Sequence, residues 1–195
     1  MKKEKKSNNI HILTLGNSAV GKTSLVVRFA ENRFFETHVS TIGVDFIKKE
    51  IMLNDIPVNI QIWDSAGQEK YRSVSKQYFK KAQGVFLVFD LTSRASFEEI
   101  LNWLDIIKKE TTSGLPIVLV GNKCDLCNRV ISEEEANEFA NNKNIQYFET
   151  SAAKGIKVNE AFYALAELCW EKESQRIIEG GVSLNKVEQK KKKCC

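Results

Sequence analysis

The stretch Gly16-Asn17-Ser18-Ala19-Val20-Gly21-Lys22-Thr23 constrains this chain more than any other eight residues in it. It fits the pattern G-x-x-x-x-G-K-[ST], a loop that curls its backbone N–H groups around phosphate. Such a curl works between a buried strand and the start of a helix, whose first N–H groups and dipole complete the cradle. The flanks meet that requirement. Ile10 to Leu15 is a short apolar run suited to a buried strand, and the residues after Ser24 place Leu25, Val26 and Phe29 on one helical face. Gly16, Ser18, Ala19, Val20, Gly21, Lys22, Thr23 and Ser24 are therefore the expected phosphate-binding set. Lys22 is expected to reach the β- and γ-phosphates and the Thr23 hydroxyl to take Mg²⁺.

The rest of the chain repeats the strand–helix alternation. Residues 44–53 and 58–63 flank Asn54-Asp55, a turn pair, and read as a β-hairpin. Residues 85–91 and 116–122 are apolar strands, and 145–151 is a third. Ser96 to Glu110 reads as a helix with Phe97, Ile100, Leu101, Leu104 and Ile107 inward. Ser132 to Glu135 has the form of a capping box, and residues 158 to about 178 form the last helix. This order predicts an α/β fold of the P-loop NTPase type. Its six-stranded, mostly parallel sheet carries one antiparallel edge strand and has helices on both faces. Ligands in such sheets sit at the carboxyl ends of the strands, where each motif below falls.

Composition excludes several classes. At 195 residues, with 43% hydrophobic and 28% charged residues, the chain is neither fibrous nor wholly disordered. The net charge of +4 is concentrated at the ends. Residues 1–9 carry four lysines against one glutamate, and residues 179–195 carry five against two, which leaves the body slightly acidic. A nucleic-acid domain would carry its positive charge on the folded body, so no nucleic-acid partner is expected. There is no apolar run of 18 residues and no signal-peptide pattern, so the five cysteines are expected to be reduced thiols. Cys124 and Cys127 form a C-x-x-C, but a zinc site would need a second ligand pair, and only His11 and His38 exist. The expected organisation is a basic extension over 1–9, a folded body over 10–178 and a disordered tail over 179–195.

A P-loop by itself does not name the base. Asn122, Lys123 and Asp125 follow the strand ending near residue 122. A carboxylate such as Asp125 accepts two hydrogen bonds from guanine N1–H and its exocyclic amine, a donor pair that adenine lacks. Asp64 ends another strand, where it can hold Mg²⁺ through the ion's hydration shell. Gly67 lets a backbone N–H approach a γ-phosphate, and the Gln68 amide can orient an attacking water. Two other classes fit a P-loop: a kinase for a small metabolite, which usually needs an Arg-rich lid, and a binding module with vestigial hydrolysis. No Arg-rich segment is visible, and Gln68 argues against the second.

With residues 42–46 (IGVDF), 66–72 (AGQEKYR), 78–82 (YFKKA), 87–92 (LVFDLT) and the Cys194-Cys195 pair, the chain resembles a small GTPase of the Ras superfamily, specifically the Rab family. The resemblance covers residues 10–178. It implies that Thr41 completes the Mg²⁺ site and senses the γ-phosphate, that Phe34 packs edge-on against guanine, and that the Ser151–Ala152 backbone touches the guanine oxygen. Ile42, Gly43, Val44, Asp45 and Phe46, with Trp63 and Tyr78, would form the effector surface, in which Phe46, Trp63 and Tyr78 make an exposed apolar triad. Geranylgeranyl groups on Cys194 and Cys195 would anchor a monomer to the cytoplasmic face of an intracellular membrane, beside a cytosolic pool. The implied partners are GTP and GDP, an exchange factor, an activating protein, a GDP-dissociation inhibitor, an escort protein and GTP-dependent effectors in vesicle transport. Ser65, Lys70, His38 and Ala153 stand where relatives commonly carry Thr, Arg, Tyr and Lys.

Overall fold

A computed structural model describes residues 8–36, 44–65, 78–111 and 114–190. Six strands form one sheet: β1 (Asn9–Leu15), β2 (Val44–Leu53), β3 (Ile56–Ser65), β4 (Gly84–Asp90), β5 (Ile117–Asn122) and β6 (Gln146–Glu149). The spatial order is β2-β3-β1-β4-β5-β6. Only β2 runs antiparallel to its neighbour, at one edge, as the hairpin pattern predicted. The turn between β2 and β3 holds Asn54 at φ 48° and Asp55 at φ 62°. Positive φ at both central positions matches the strand twist, and Asn and Asp tolerate it better than most residues.

The helices are α1 (Lys22–Glu31), α2 (Arg94–Glu98), α3 (Ile100–Glu110), α4 (Glu133–Lys143) and α5 (Val158–Lys190). Parallel strands are covered on both faces, so two apolar layers form. On one side Phe29 of α1, Phe162 of α5 and Phe86 of β4 stack at centroid separations of 4.3 and 4.0 Å. Such pairs add about 0.5–1.5 kcal/mol each beyond the area they bury. On the other side Leu13, Leu87, Phe89, Phe97 and Trp103 fill the space beneath α2 and α3.

Three expectations need correction. The helix predicted over 96–110 is two helices, parted by a turn at Glu99, with Phe97, Ile100 and Ile107 buried on the predicted face. Trp103 packs inward with them, whereas Leu101 is 48% exposed. The last helix runs to Lys190, so residues 179–190, expected to be a disordered tail, are helical. The segment contains no proline, and propagating a formed helix costs less than nucleating one, even across Gly180 and Gly181. The capping box is used differently from the expected pattern. Ser132 Oγ accepts from the Glu135 N–H at 3.1 Å, but the Glu135 carboxylate pairs with the Arg94 guanidinium.

Candidate nucleotide-binding site

Parallel pairing brings the motifs level. In the register of β1 with β3, Thr14 lies beside Asp64, and in that of β4 with β5, Asp90 lies beside Asn122. Residues far apart in sequence thus meet at one end of the sheet. The P-loop makes its turn with Gly16 at φ 136°, Ala19 at φ 61° and Gly21 at φ 95°. A Cβ on Gly21 would stand 2.3 Å from Asn122 Nδ2, so glycine permits the close approach of these two loops. Helix α1 opens at Lys22 with no side-chain cap on its N-terminus. Its first N–H groups have no intrahelical partner and point at the loop, the arrangement that binds phosphate.

Lys22 is buried and folds back over the loop, donating to the carbonyls of Gly16 at 3.0 Å and Asn17 at 2.7 Å. Burial pushes its ammonium pKa down to about 8, and Asp64 opposes that shift. The cation is thus poorly solvated, and polyphosphate would supply the counter-charge that water does not. Asp64 is 1% exposed. One of its oxygens accepts from Thr14 Oγ1 at 3.1 Å and the other from Thr23 Oγ1 at 2.5 Å. A buried carboxylate paired with a hydroxyl is a hard-oxygen donor set of the kind Mg²⁺ takes, so these residues fit the ion.

The base end is equally tied together. Asn122 Nδ2 donates to Val20 O at 2.9 Å, and its Oδ1 accepts from Thr150 Oγ1 and the Ala152 N–H, both at 3.2 Å. Lys123 Nζ donates to Ala19 O at 2.9 Å and pairs with Asp90 at 2.6 Å. Asp90 in turn accepts from the Thr92 N–H and hydroxyl. Asn122 and Lys123 thus act as struts between the 16–23 loop and the loops that follow β5 and β6, and Asp125 beyond them is exposed. Ser151 and Ala152 are buried, and Ser151 Oγ accepts from the Lys154 N–H. Phe34 is half-buried against the α1–α5 core.

The expected apolar triad is only partly exposed. Phe46 is 42% exposed and Tyr78 half-buried, but Trp63 is 7% exposed. Trp63 is buried because its indole stacks on His11 at 5.0 Å and meets Tyr78 at 5.3 Å. Val44 and Asp45 begin β2, paired with Ser65 and Asp64. Thr41, Ile42, Gly43, Gly67 and Gln68 lie outside the described residues, as do His38, Lys70, Cys194 and Cys195.

Sequence reasoning missed Thr14, Asp90 and Trp103, whose indole donates to Asn17 Oδ1 of the P-loop at 2.9 Å. The polar Thr14 inside an apolar strand was the one available signal. It also missed Arg28 of α1, which donates to the carbonyls of Ala152 and Ala153.

A family model described as the Ras family matches residues 11–171. Ras-related protein Rab-13 of Bos taurus is 42% identical over 156 residues, which are 80% of this chain and 77% of that protein. Ras-related protein Rab-15 of Homo sapiens is 42% identical over 158 residues, 80% of this chain and 74% of the relative.

Proposed function

The chain belongs to the Ras family as a Rab-type small GTPase, and on that premise we propose that it is a membrane-anchored switch for vesicle transport. As a GTPase it hydrolyses GTP to GDP and phosphate. The observation that most supports the residue roles is the strut pair. Asn122 and Lys123 bond to Val20 and Ala19, so the phosphate loop and the base loops form one rigid cleft.

In this reading the P-loop N–H groups and Lys22 bind the phosphates. Thr23, Asp64 and Thr41 hold Mg²⁺, which when bound neutralises phosphate charge. Asp125 reads guanine, Phe34 covers its edge, and the 151–152 backbone faces its oxygen. Gln68 orients the attacking water. Positioning and electrostatics carry the catalysis, with no arginine assigned to the phosphates, so unaided turnover is slow, on the order of 10⁻⁴ to 10⁻³ s⁻¹. An activating protein and an exchange factor follow as partners. Thr41 and Gly67 are placed in sequence to sense the γ-phosphate, so residues 42–46, with Tyr78, are the surface an effector would read in the GTP state.

Single-turnover hydrolysis tests the water-positioning role. Gln68→Leu is expected to slow it by up to about a hundredfold, the scale lost when a reacting group is misplaced. An unchanged rate at unchanged GTP affinity sinks the assignment.

The body over 10–178 and the tail beyond it divide the labour in this reading. Geranylgeranyl groups on Cys194 and Cys195 would anchor the chain, since one lipid chain binds only marginally and two bind stably. Lys190 to Lys193 would add about 1 kcal/mol each at an anionic leaflet. A Cys194→Ser/Cys195→Ser chain is expected to leave the membrane fraction of its native cells for the cytosol. A membrane fraction equal to that of the unaltered chain would refute the anchor.

A further inference from the structure

Arg28 joins two parts of the molecule that lie on either side of the proposed base site. From α1 its Nε donates to Ala152 O at 2.8 Å and its Nη2 to Ala153 O at 2.9 Å. Its remaining terminal nitrogen donates to Asn32 O at 3.0 Å. Asn32 closes α1 in the left-handed conformation, two residues before Phe34. One guanidinium therefore ties the turn over residues 152–153 to the segment that leads into the aromatic wall.

The chemistry suits arginine and not lysine. Two N–H groups in a fixed planar fork meet two consecutive carbonyls, whereas an ammonium would serve them as a single point. Ala152 is held in both of its flanking peptide planes, its N–H donating to Asn122 Oδ1 and its carbonyl accepting from Arg28. The turn's own ties are the paired Ser151 and Ile156 backbone bonds and the Ser151 hydroxyl. Neither of these engages the carbonyls of 152 and 153. Removing the guanidinium leaves those carbonyls without charged donors and frees the peptide plane to rotate.

We infer that Arg28 is a positioning residue for the base: it fixes the 152–153 turn against α1, and through that turn it sets how slowly nucleotide leaves. The inference rests on the reading of 151–152 as the backbone that faces the guanine oxygen. It concerns the base end of the cleft alone and leaves Lys22, Thr23 and Asp64 unaffected.

The test uses the full chain loaded with a fluorescent GDP and chased with unlabelled GDP in the presence of Mg²⁺. Arg28→Ala is expected to release GDP about ten- to hundredfold faster, the range that one lost charge-assisted hydrogen bond represents. Arg28→Lys should fall between. The same variants are then loaded with 6-thioguanosine diphosphate, which keeps the N1–H and the amine of guanine but carries a weakly accepting sulfur in place of its 6-oxygen. Because the turn acts through that oxygen, the Arg28→Ala effect should shrink to within about threefold, as a coupled pair requires.

Equal acceleration for both ligands would mean general loosening of the fold and would overturn the inference, as would no acceleration at all. Asp125→Ala separates this from the base-site reading. If Asp125→Ala speeds GDP release and Arg28→Ala does not, Arg28 alone is wrong. If neither does, the base site is misplaced. Should Arg28→Ala lose its cooperative melting transition, Arg28→Lys carries the comparison. It must then release GDP faster than the unaltered chain and release the 6-oxygen-free ligand at the unaltered rate.

Discussion

An Asp125→Asn variant is expected to abandon guanosine diphosphate in favour of xanthosine diphosphate. The ionised carboxylate of Asp125 accepts hydrogen bonds and donates none. Guanine offers it two donors, N1–H and the exocyclic amine. Asparagine keeps one accepting oxygen but places an NH₂ where the second acceptor stood, so one guanine donor faces another donor. Xanthine carries an oxygen in place of the amine and so matches the amide. The guanine complex loses a charge-assisted pair and leaves a donor unsatisfied, which corresponds to about 3–5 kcal/mol, or roughly a thousandfold in affinity. Asp125 is exposed and its neighbours Asn122 and Lys123 hold the loop independently, so the fold should not register the change. Competition of GDP and XDP against a fluorescent nucleotide measures the two affinities directly. A variant that binds both more weakly by the same factor would mean that Asp125 supports the loop and does not read the base.

What was legible in the sequence divides by the kind of partner each residue has. Phosphate and base chemistry demand particular residue types at fixed spacing, so Gly16 to Thr23 and Asn122 to Asp125 could be recognised before any fold was known. Asn54-Asp55 was legible because few residues accept positive φ twice in succession. Arg28 was not, because its partners are backbone carbonyls 124 and 125 residues away, and a backbone acceptor leaves no mark on composition. Asp90 was hidden for a related reason, since its partner is the Lys123 ammonium, 33 residues on. The inward face over 96–110 was read correctly at Phe97, Ile100 and Ile107 and misread only at its margin, where Trp103 is buried and Leu101 is not. Overlooking Trp103 also concealed the bond its indole donates to Asn17 of the P-loop. Trp63 was expected on the surface because the family resemblance made it part of an exposed triad, and a resemblance does not tell what covers a side chain. His11 and Tyr78 cover it.

The most damaging single methyl group in the chain should be the one added by Gly16→Ala. Gly16 sits at φ 136°, where L side chains are rare, and its added Cβ would stand 2.1 Å from the carbonyl oxygen of Val88. That oxygen belongs to β4, which pairs with β1 on one side and β5 on the other, Val88 itself opposite Val120. A flexible side chain would swing aside, but a central strand held on both edges cannot. Either the P-loop lifts off the sheet or the β1–β4 pairing opens. The expected cost is about 4 kcal/mol or more, much of the stability of an ordinary domain. Gly114→Ala supplies the comparison. It too sits at positive φ, 52°, but its Cβ would meet nothing within 4 Å. Backbone strain alone should then cost about 1 kcal/mol. Urea unfolding of both variants, once without nucleotide and once at a fixed GDP concentration, separates collision from lost binding, because bound nucleotide shifts the midpoint of any form that still binds it. Gly16→Ala should also lose the GDP-dependent part of its stability, since the loop that collides is the loop proposed to cradle phosphate. Equal losses in the two variants would show that the strand moves out of the way, and the P-loop would then be less rigidly seated on β4 than its geometry requires.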